Sequence, residues 1–113
     1  MSHRAFLVIF LAITFSAIHG QIATVFGKVT DAETEEVIDF ATLYLEGGSY
    51  STESNSEGIF KLEIPANERL ILVCTRIGYK EARVLIDKTK AGLVRNINFE
   101  LVSEESDLDI VIT

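Results

Sequence analysis

The sequence is poor in the residues that most often carry chemistry or cross-links. In 113 residues it has one cysteine, one proline, no tryptophan and two histidines. A lone Cys74 cannot close an internal disulfide, so the fold must stand on its hydrophobic core. It lies inside the apolar run LILVCT, where a buried, inert thiol is expected, and too far from the N-terminus to carry a lipid. Both histidines, His3 and His19, precede Gln21. Beyond them nothing remains to serve as a histidine general base, to activate a serine or cysteine, or to complete a His-bearing zinc site. No glycine-rich phosphate loop occurs. Basic clusters are missing as well, and a formal net charge of −7 argues against nucleic acid and against anionic membrane surfaces. No catalytic residue, cofactor or metal site is expected, and no small-molecule substrate.

A long hydrophobic run is also lacking. Ala5 to Ala17 is apolar for only 13 residues, short of the roughly 20 that a membrane-spanning helix needs. Arg4 supplies a positive start and Gly20 a small residue before Gln21. Residues 1–20 therefore read as a secretory signal peptide, cleaved before Gln21. The alternative is an uncleaved anchor helix. Cleavage would remove Arg4 and no acid, leaving a more acidic domain of a size for one small core.

What the rest of the chain does have is alternation. Turn signals recur roughly every ten residues and no helical period persists. Residues 23–30 place Val25, Gly27 and Val29 on one face, and residues 39–46 do the same with Ala41, Leu43 and Leu45. Gly47 and Gly48 break that strand, and 50–54 can return as a short polar edge. Ser54-Asn55-Ser56-Glu57-Gly58 reads as a polar turn; Phe60, Leu62 and Ile64 then share the inner face of 59–64. The most continuously apolar stretch, 69–77, should be central. Strands at 80–86, through Ala82, Val84 and Ile86, and at 93–102, through Ile97, Phe99 and Leu101, complete the set. Seven short strands with no intervening helix predict an all-β protein, a seven-stranded antiparallel β-sandwich over residues 21–102.

The end of the chain differs. SEESD, 103–107, is an acidic spacer, and Leu108-Asp109-Ile110-Val111-Ile112-Thr113 is an apolar, β-prone strip. It either adds an eighth strand to the sandwich or offers itself to a partner's sheet edge. The acidic sets Asp31/Glu33/Glu35/Glu36 and Glu104/Glu105/Asp107/Asp109 lack the ligand spacing of a calcium loop and read as solvated charge.

Four pieces occur in order: Gly27-Lys28-Val29-Thr30-Asp31, Phe40-Ala41-Thr42-Leu43-Tyr44-Leu45, Ser54-Asn55-Ser56-Glu57-Gly58-Ile59-Phe60 and Ile77-Gly78-Tyr79-Lys80. Together they resemble the carboxypeptidase-regulatory-like (transthyretin-like) β-sandwich at the N-terminus of many TonB-dependent outer-membrane receptors, especially those of Bacteroidetes. The resemblance spans residues 22–102. It implies structural roles for Gly27, Asp31, Gly58, Phe60, Gly78 and Tyr79. Gly58 should take a positive φ. Asp31 should accept backbone N–H groups of the next turn. Gly78 should bend the chain so that Tyr79 lies on the sandwich. Thr34-Glu35 stands where the family shows Thr-Gly, so a different turn type is expected there. Ser54-Asn55 replaces Thr-Asp. The strip Leu108–Thr113 resembles the segment containing or neighbouring the TonB box, with Ile110 in place of the usual acid.

The implied function is a non-enzymatic, periplasmic accessory domain of an outer-membrane nutrient receptor. Its partners would be a TonB-like energy-transducing protein, bound through the strip, and the receptor's plug and barrel. The imported substrate, a glycan, peptide or metal chelate, would be chosen by parts outside this chain. The other reading is a free-standing secreted binding or adhesion module using loops 31–37, 46–50 and 87–92.

Overall fold

The structure is a computed structural model that describes residues 21–105. The expected signal peptide, 1–20, and the strip 108–113 lie outside the described residues. Two sheets pack face to face. In one, β1 (Ile22–Asp31) lies between β4 (Ile59–Pro65) on one side and β7 (Val94–Asn96) and β8 (Phe99–Leu101) on the other. The second runs β3 (Ser51–Glu53), β2 (Thr42–Leu45), β5 (Leu70–Thr75), β6 (Ala82–Ile86).

Alternation dictates which side chains meet between the sheets. Val25, Val29, Leu43, Leu45, Phe60, Leu62, Ile64, Leu72, Cys74, Ile86, Phe99 and Leu101 are all buried in one cluster. The rings of Phe60 and Phe99 meet across it, centroids 6.2 Å apart and tilted by 54°, a geometry that aromatic pairs favour. β5 is flanked by β2 and β6, the central position its apolar run demands. Burial pushes the Cys74 thiol up to about 12, so it stays protonated and inert.

Two expectations are corrected. The final strand, expected as one piece over 93–102, is two, which makes eight strands among the described residues in place of seven. And the sandwich is not wholly antiparallel, because β7 and β8 both run parallel to β1. The break turns on Gly27. Ile97 donates its N–H to the Phe26 carbonyl at 2.9 Å, and its own carbonyl then points at Gly27. A β-carbon on Gly27 would come within 1.7 Å of the Ile97 oxygen. Asn98 Oδ1 fills the gap in the ladder, accepting the Lys28 N–H at 3.0 Å. Pairing then resumes with Val29 opposite Phe99. An alternating strand presents the same two faces to a parallel or an antiparallel neighbour, so strand direction was not visible in the pattern.

Candidate interaction surface

The strand order sets loops at two ends. One end carries 46–50, 66–69 and 87–92; Asn67 N–H donates to Thr89 O between the last two, and Glu46 N–H donates to Ile71 O in β5. The other carries the connection 32–41, the turn at Gly58, the bend 76–81 and the outgoing chain 102–105. Loop 31–37 is therefore separated from loops 46–50 and 87–92, and the three do not form a common binding surface.

The second end is built around Asp31. Its Oδ1 accepts the Glu33 N–H at 2.8 Å and the Thr34 N–H at 3.0 Å, and its Oδ2 accepts the Tyr79 hydroxyl at 2.8 Å. The Thr34 N–H, then the tyrosine hydroxyl and the Glu33 N–H, hold the Asp31 carboxyl below its ordinary value. The same bond raises the Tyr79 phenol. Asp31 thus joins the end of β1 to the bend after β5. Gly78, at φ 90°, makes that bend.

The outgoing chain is pinned to the same bend. Lys80 N–H donates to Val102 O at 2.8 Å, Glu104 N–H donates to Gly78 O at 3.0 Å, and Tyr79 and Ser103 form an isolated bridge. Ser103 Oγ accepts the Glu105 N–H at 3.2 Å and turns the chain there. The first residues of the acidic spacer are fastened to the sandwich as far as Glu105.

The turn at Ser54–Gly58 serves this end in two ways. Asn55 Oδ1 accepts the N–H groups of Glu57 and Ile59, both at 2.9 Å. Gly58 has φ 77°, and a β-carbon there would meet the Val29 carbonyl at 2.7 Å and the Val37 side chain at 3.0 Å. Within this polar turn Ser54 is buried, only 2% exposed. Its hydroxyl accepts the Ala41 N–H at 2.9 Å and donates to the Ile38 carbonyl at 2.8 Å. A polar side chain inside a string of turn residues gave no local sign of its burial. Glu35 has φ 64°, so the left-handed position that glycine would serve is kept by a glutamate, and the expected change of turn type does not follow.

Sequence reasoning singled out neither Phe40 nor Ile77 as functional. Phe40 has φ 55°, outside the range a bulky residue prefers, and its side chain is 64% exposed. Its N–H donates to Ser54 O at 2.9 Å, and Arg76 Nε donates to the Asp39 carbonyl at 2.9 Å, so the strained backbone is fixed on both sides. Ile77 is 92% exposed. With Thr42 and Thr75, which pair across β2 and β5, and with Arg76, the two line an open cavity of about 370 Å³. The available signal was positional. Phe40 falls on the opposite side of the alternation from Ala41, Leu43 and Leu45, and should face outward.

Among the described residues no three or more His, Cys, Asp or Glu side chains stand together as a metal site, and no helix is long and apolar enough to cross a membrane.

The family model of the CarboxypepD_reg-like domain matches residues 25–113. The chain belongs to that family. No curated protein matches it. Among solved structures, this CarboxypepD_reg-like domain is similar to a Bacteroides fragilis protein described as membrane-associated and of unknown function. The identity is 25% and the TM-score 0.56, over 74% of this chain and 28% of that one. It is also similar to the Bacillus anthracis TIE protein, at 14% identity and TM-score 0.59, over 74% of this chain and 17% of that one. The 3-chlorocatechol 1,2-dioxygenase of Rhodococcus opacus shares the fold at 11% identity and TM-score 0.57, over 75% of this chain and 61% of that one. At that identity the likeness is one of fold alone. The chain spans less than two thirds of each of these structures.

Proposed function

We propose that the chain is a non-enzymatic accessory domain on the periplasmic side of a TonB-dependent outer-membrane receptor, delivered there by the signal peptide 1–20. The observation that carries this reading is the family match, which continues past the sandwich through the strip Leu108–Thr113. Likeness to a longer, membrane-associated Bacteroides protein supports it. In this reading the sandwich is a rigid mount. The bridge between Tyr79 and Ser103 holds the root of the outgoing chain, and the strip beyond adds a strand to the sheet edge of a TonB-like partner. Ordering a short segment on binding keeps the affinity modest, as suits a contact made and broken in each transport cycle.

The test is an NMR titration of the exported chain with the C-terminal domain of the cognate TonB-like protein. Signals of Leu108–Thr113 should shift, and Val111→Pro, which deletes a ladder donor, should abolish the response. Shifts confined to residues 21–102 would place the contact in the sandwich and overturn the assignment of the strip. Intact mass of the protein from the envelope fraction should begin at Gln21; retention of residues 1–20 would overturn the export step.

A further inference from the structure

We propose that the rim formed by Phe40 and Ile77 is the resting seat of the chain's own strip Leu108–Thr113, so that the strip is held on the sandwich until a partner displaces it. Its regulatory meaning rests on the reading of the strip as the partner-binding segment; the contact itself does not.

Three observations converge. The first is strain without a packing reason. The backbone at Phe40 lies where glycine is at ease, yet an aromatic residue stands there with its ring in solvent. Strain of this kind persists at ligand clamps and switch regions, and here the side chain it presents is free to receive something. The second is apolar continuity. Ile77, 92% exposed, stands beside Phe40 over the same cavity of about 370 Å³. A single exposed apolar residue is ordinary; two large ones framing one cavity are a surface to be covered.

The third observation names the occupant. Glu104 is bonded to the carbonyl of Gly78, the residue next to Ile77, so the chain leaves the described region beside this rim. From Glu105 to Leu108 is three residues, a reach of roughly 10 Å when extended. The strip that then begins alternates, with Leu108, Ile110 and Ile112 on one side. An apolar stripe is thus tethered within reach of an apolar rim. Tethering makes the encounter intramolecular, so even a weak contact is populated without any partner. A partner that needs the strip extended must first free it, and its apparent affinity falls by the fraction of strips that are free.

The experiment is NMR on the full chain as exported, with methyl and aromatic labelling and no partner present. Nuclear Overhauser contacts are expected between the Phe40 ring or the Ile77 methyls and the methyls of Leu108, Ile110 or Ile112. The double variant Phe40→Gly/Ile77→Ser should lose them, and the strip's signals should move to unstructured positions. Glycine suits the backbone at Phe40, so this variant keeps its fold, which an unchanged sheet amide pattern would establish. Strip signals already at unstructured positions in the parent chain would overturn the proposal. So would contacts seen only between a labelled and an unlabelled copy, which would make the rim an interface between two chains. The outcomes separate from those of the partner titration. A strip that touches the rim but ignores the TonB-like domain sinks the uptake reading alone. A strip that binds that domain without ever touching the rim sinks only the seat. Where both hold, the double variant should bind the partner more tightly than the parent.

Discussion

Gly58 and Phe40 adopt the same unusual region of backbone space, at φ 77° and φ 55°, and they lie at the same end of the sandwich. Their surroundings are opposite. At Gly58 the missing side chain is what the packing requires, since the Val29 carbonyl and the Val37 side chain stand where a β-carbon would go. At Phe40 the side chain points outward, and a glycine would relieve the backbone without opening any hole in the core. One left-handed position is solved at no steric cost and the other is left strained. Fold stability accounts for the first. The second has no such reason in the core, and the proposed seat for the strip gives the ring a use.

That contrast can be broken or sharpened by substitution. The largest effect belongs to the most closely approached glycine. Gly27→Ala puts a carbon onto the Ile97 carbonyl, which must separate β1 from the 97–98 segment. A loss of about 4 kcal/mol or more is expected, most of the stability of a small domain. Urea denaturation measures it, and a wild-type midpoint would refute the account of the split final strand. Gly58→Val should cost about 3 kcal/mol, from left-handed strain plus the contact with Val29. A matching change at exposed Lys61 serves as the control. Equal melting temperatures for Gly58→Val and the parent chain would show that the turn tolerates a side chain.

Ser54→Ala strips the Ala41 N–H and the Ile38 carbonyl of their partner inside the protein, and should cost about 2 kcal/mol. Because this hydroxyl fixes the backbone on either side of residues 39–40, the variant should also speed hydrogen exchange at Phe40 and Ala41. Normal exchange there would show that Phe40 is held by other means. Phe40→Gly is expected to act in the opposite direction from Gly58→Val, raising stability by about 0.5 kcal/mol as strain relief slightly outweighs glycine's entropy cost. A clear destabilisation would mean that the ring contributes to folding and would weaken the case for a binding role.

The smallest effect concerns pH. Asp31 has a lowered carboxyl, so its contribution is complete above the ordinary aspartate value of 3.8 and is lost as pH falls through its folded value. Tyr79 has a raised phenol, so its contribution is complete below its ordinary value of 10.0 and is lost as pH rises through its folded value. Asp31→Asn should therefore flatten the acid limb of the thermal stability profile below about pH 4, and Tyr79→Phe the alkaline limb above about pH 10. Unchanged limbs in both variants would show that the part-buried bond between them carries no measurable stability.

Much of this molecule was readable before its structure. The alternation of Phe60, Leu62 and Ile64, or of Ala41, Leu43 and Leu45, reports which face of a strand is apolar, and that property is written within a few consecutive residues. The dense run around Leu72 and Cys74 announced a central strand for the same reason. Asn55 and Gly58 marked a turn by chemistry that is equally local. Ser54 escaped because a hydroxyl in a turn looks the same whether it meets water or the carbonyl of Ile38, sixteen residues away in sequence. Phe40 escaped because the alternation marks it only as outward-facing, while its left-handed backbone and its neighbour Ile77 come from contacts with distant segments.

By itself the sequence determined the two-faced strands, the order of the turns, the absence of histidine chemistry beyond Gln21 and the dependence on an aliphatic core. These follow from side-chain period and composition, which need no partner strand to be expressed. The tertiary structure alone decided that β7 and β8 run parallel to β1, that the Ile97 carbonyl lies against Gly27, that Asp31 reaches Tyr79, and that Phe40 and Ile77 share one exposed rim. Each of these depends on which distant segments are brought side by side and in which direction. A strand's alternation is indifferent to the direction of its neighbour, because its inward and outward faces are the same either way.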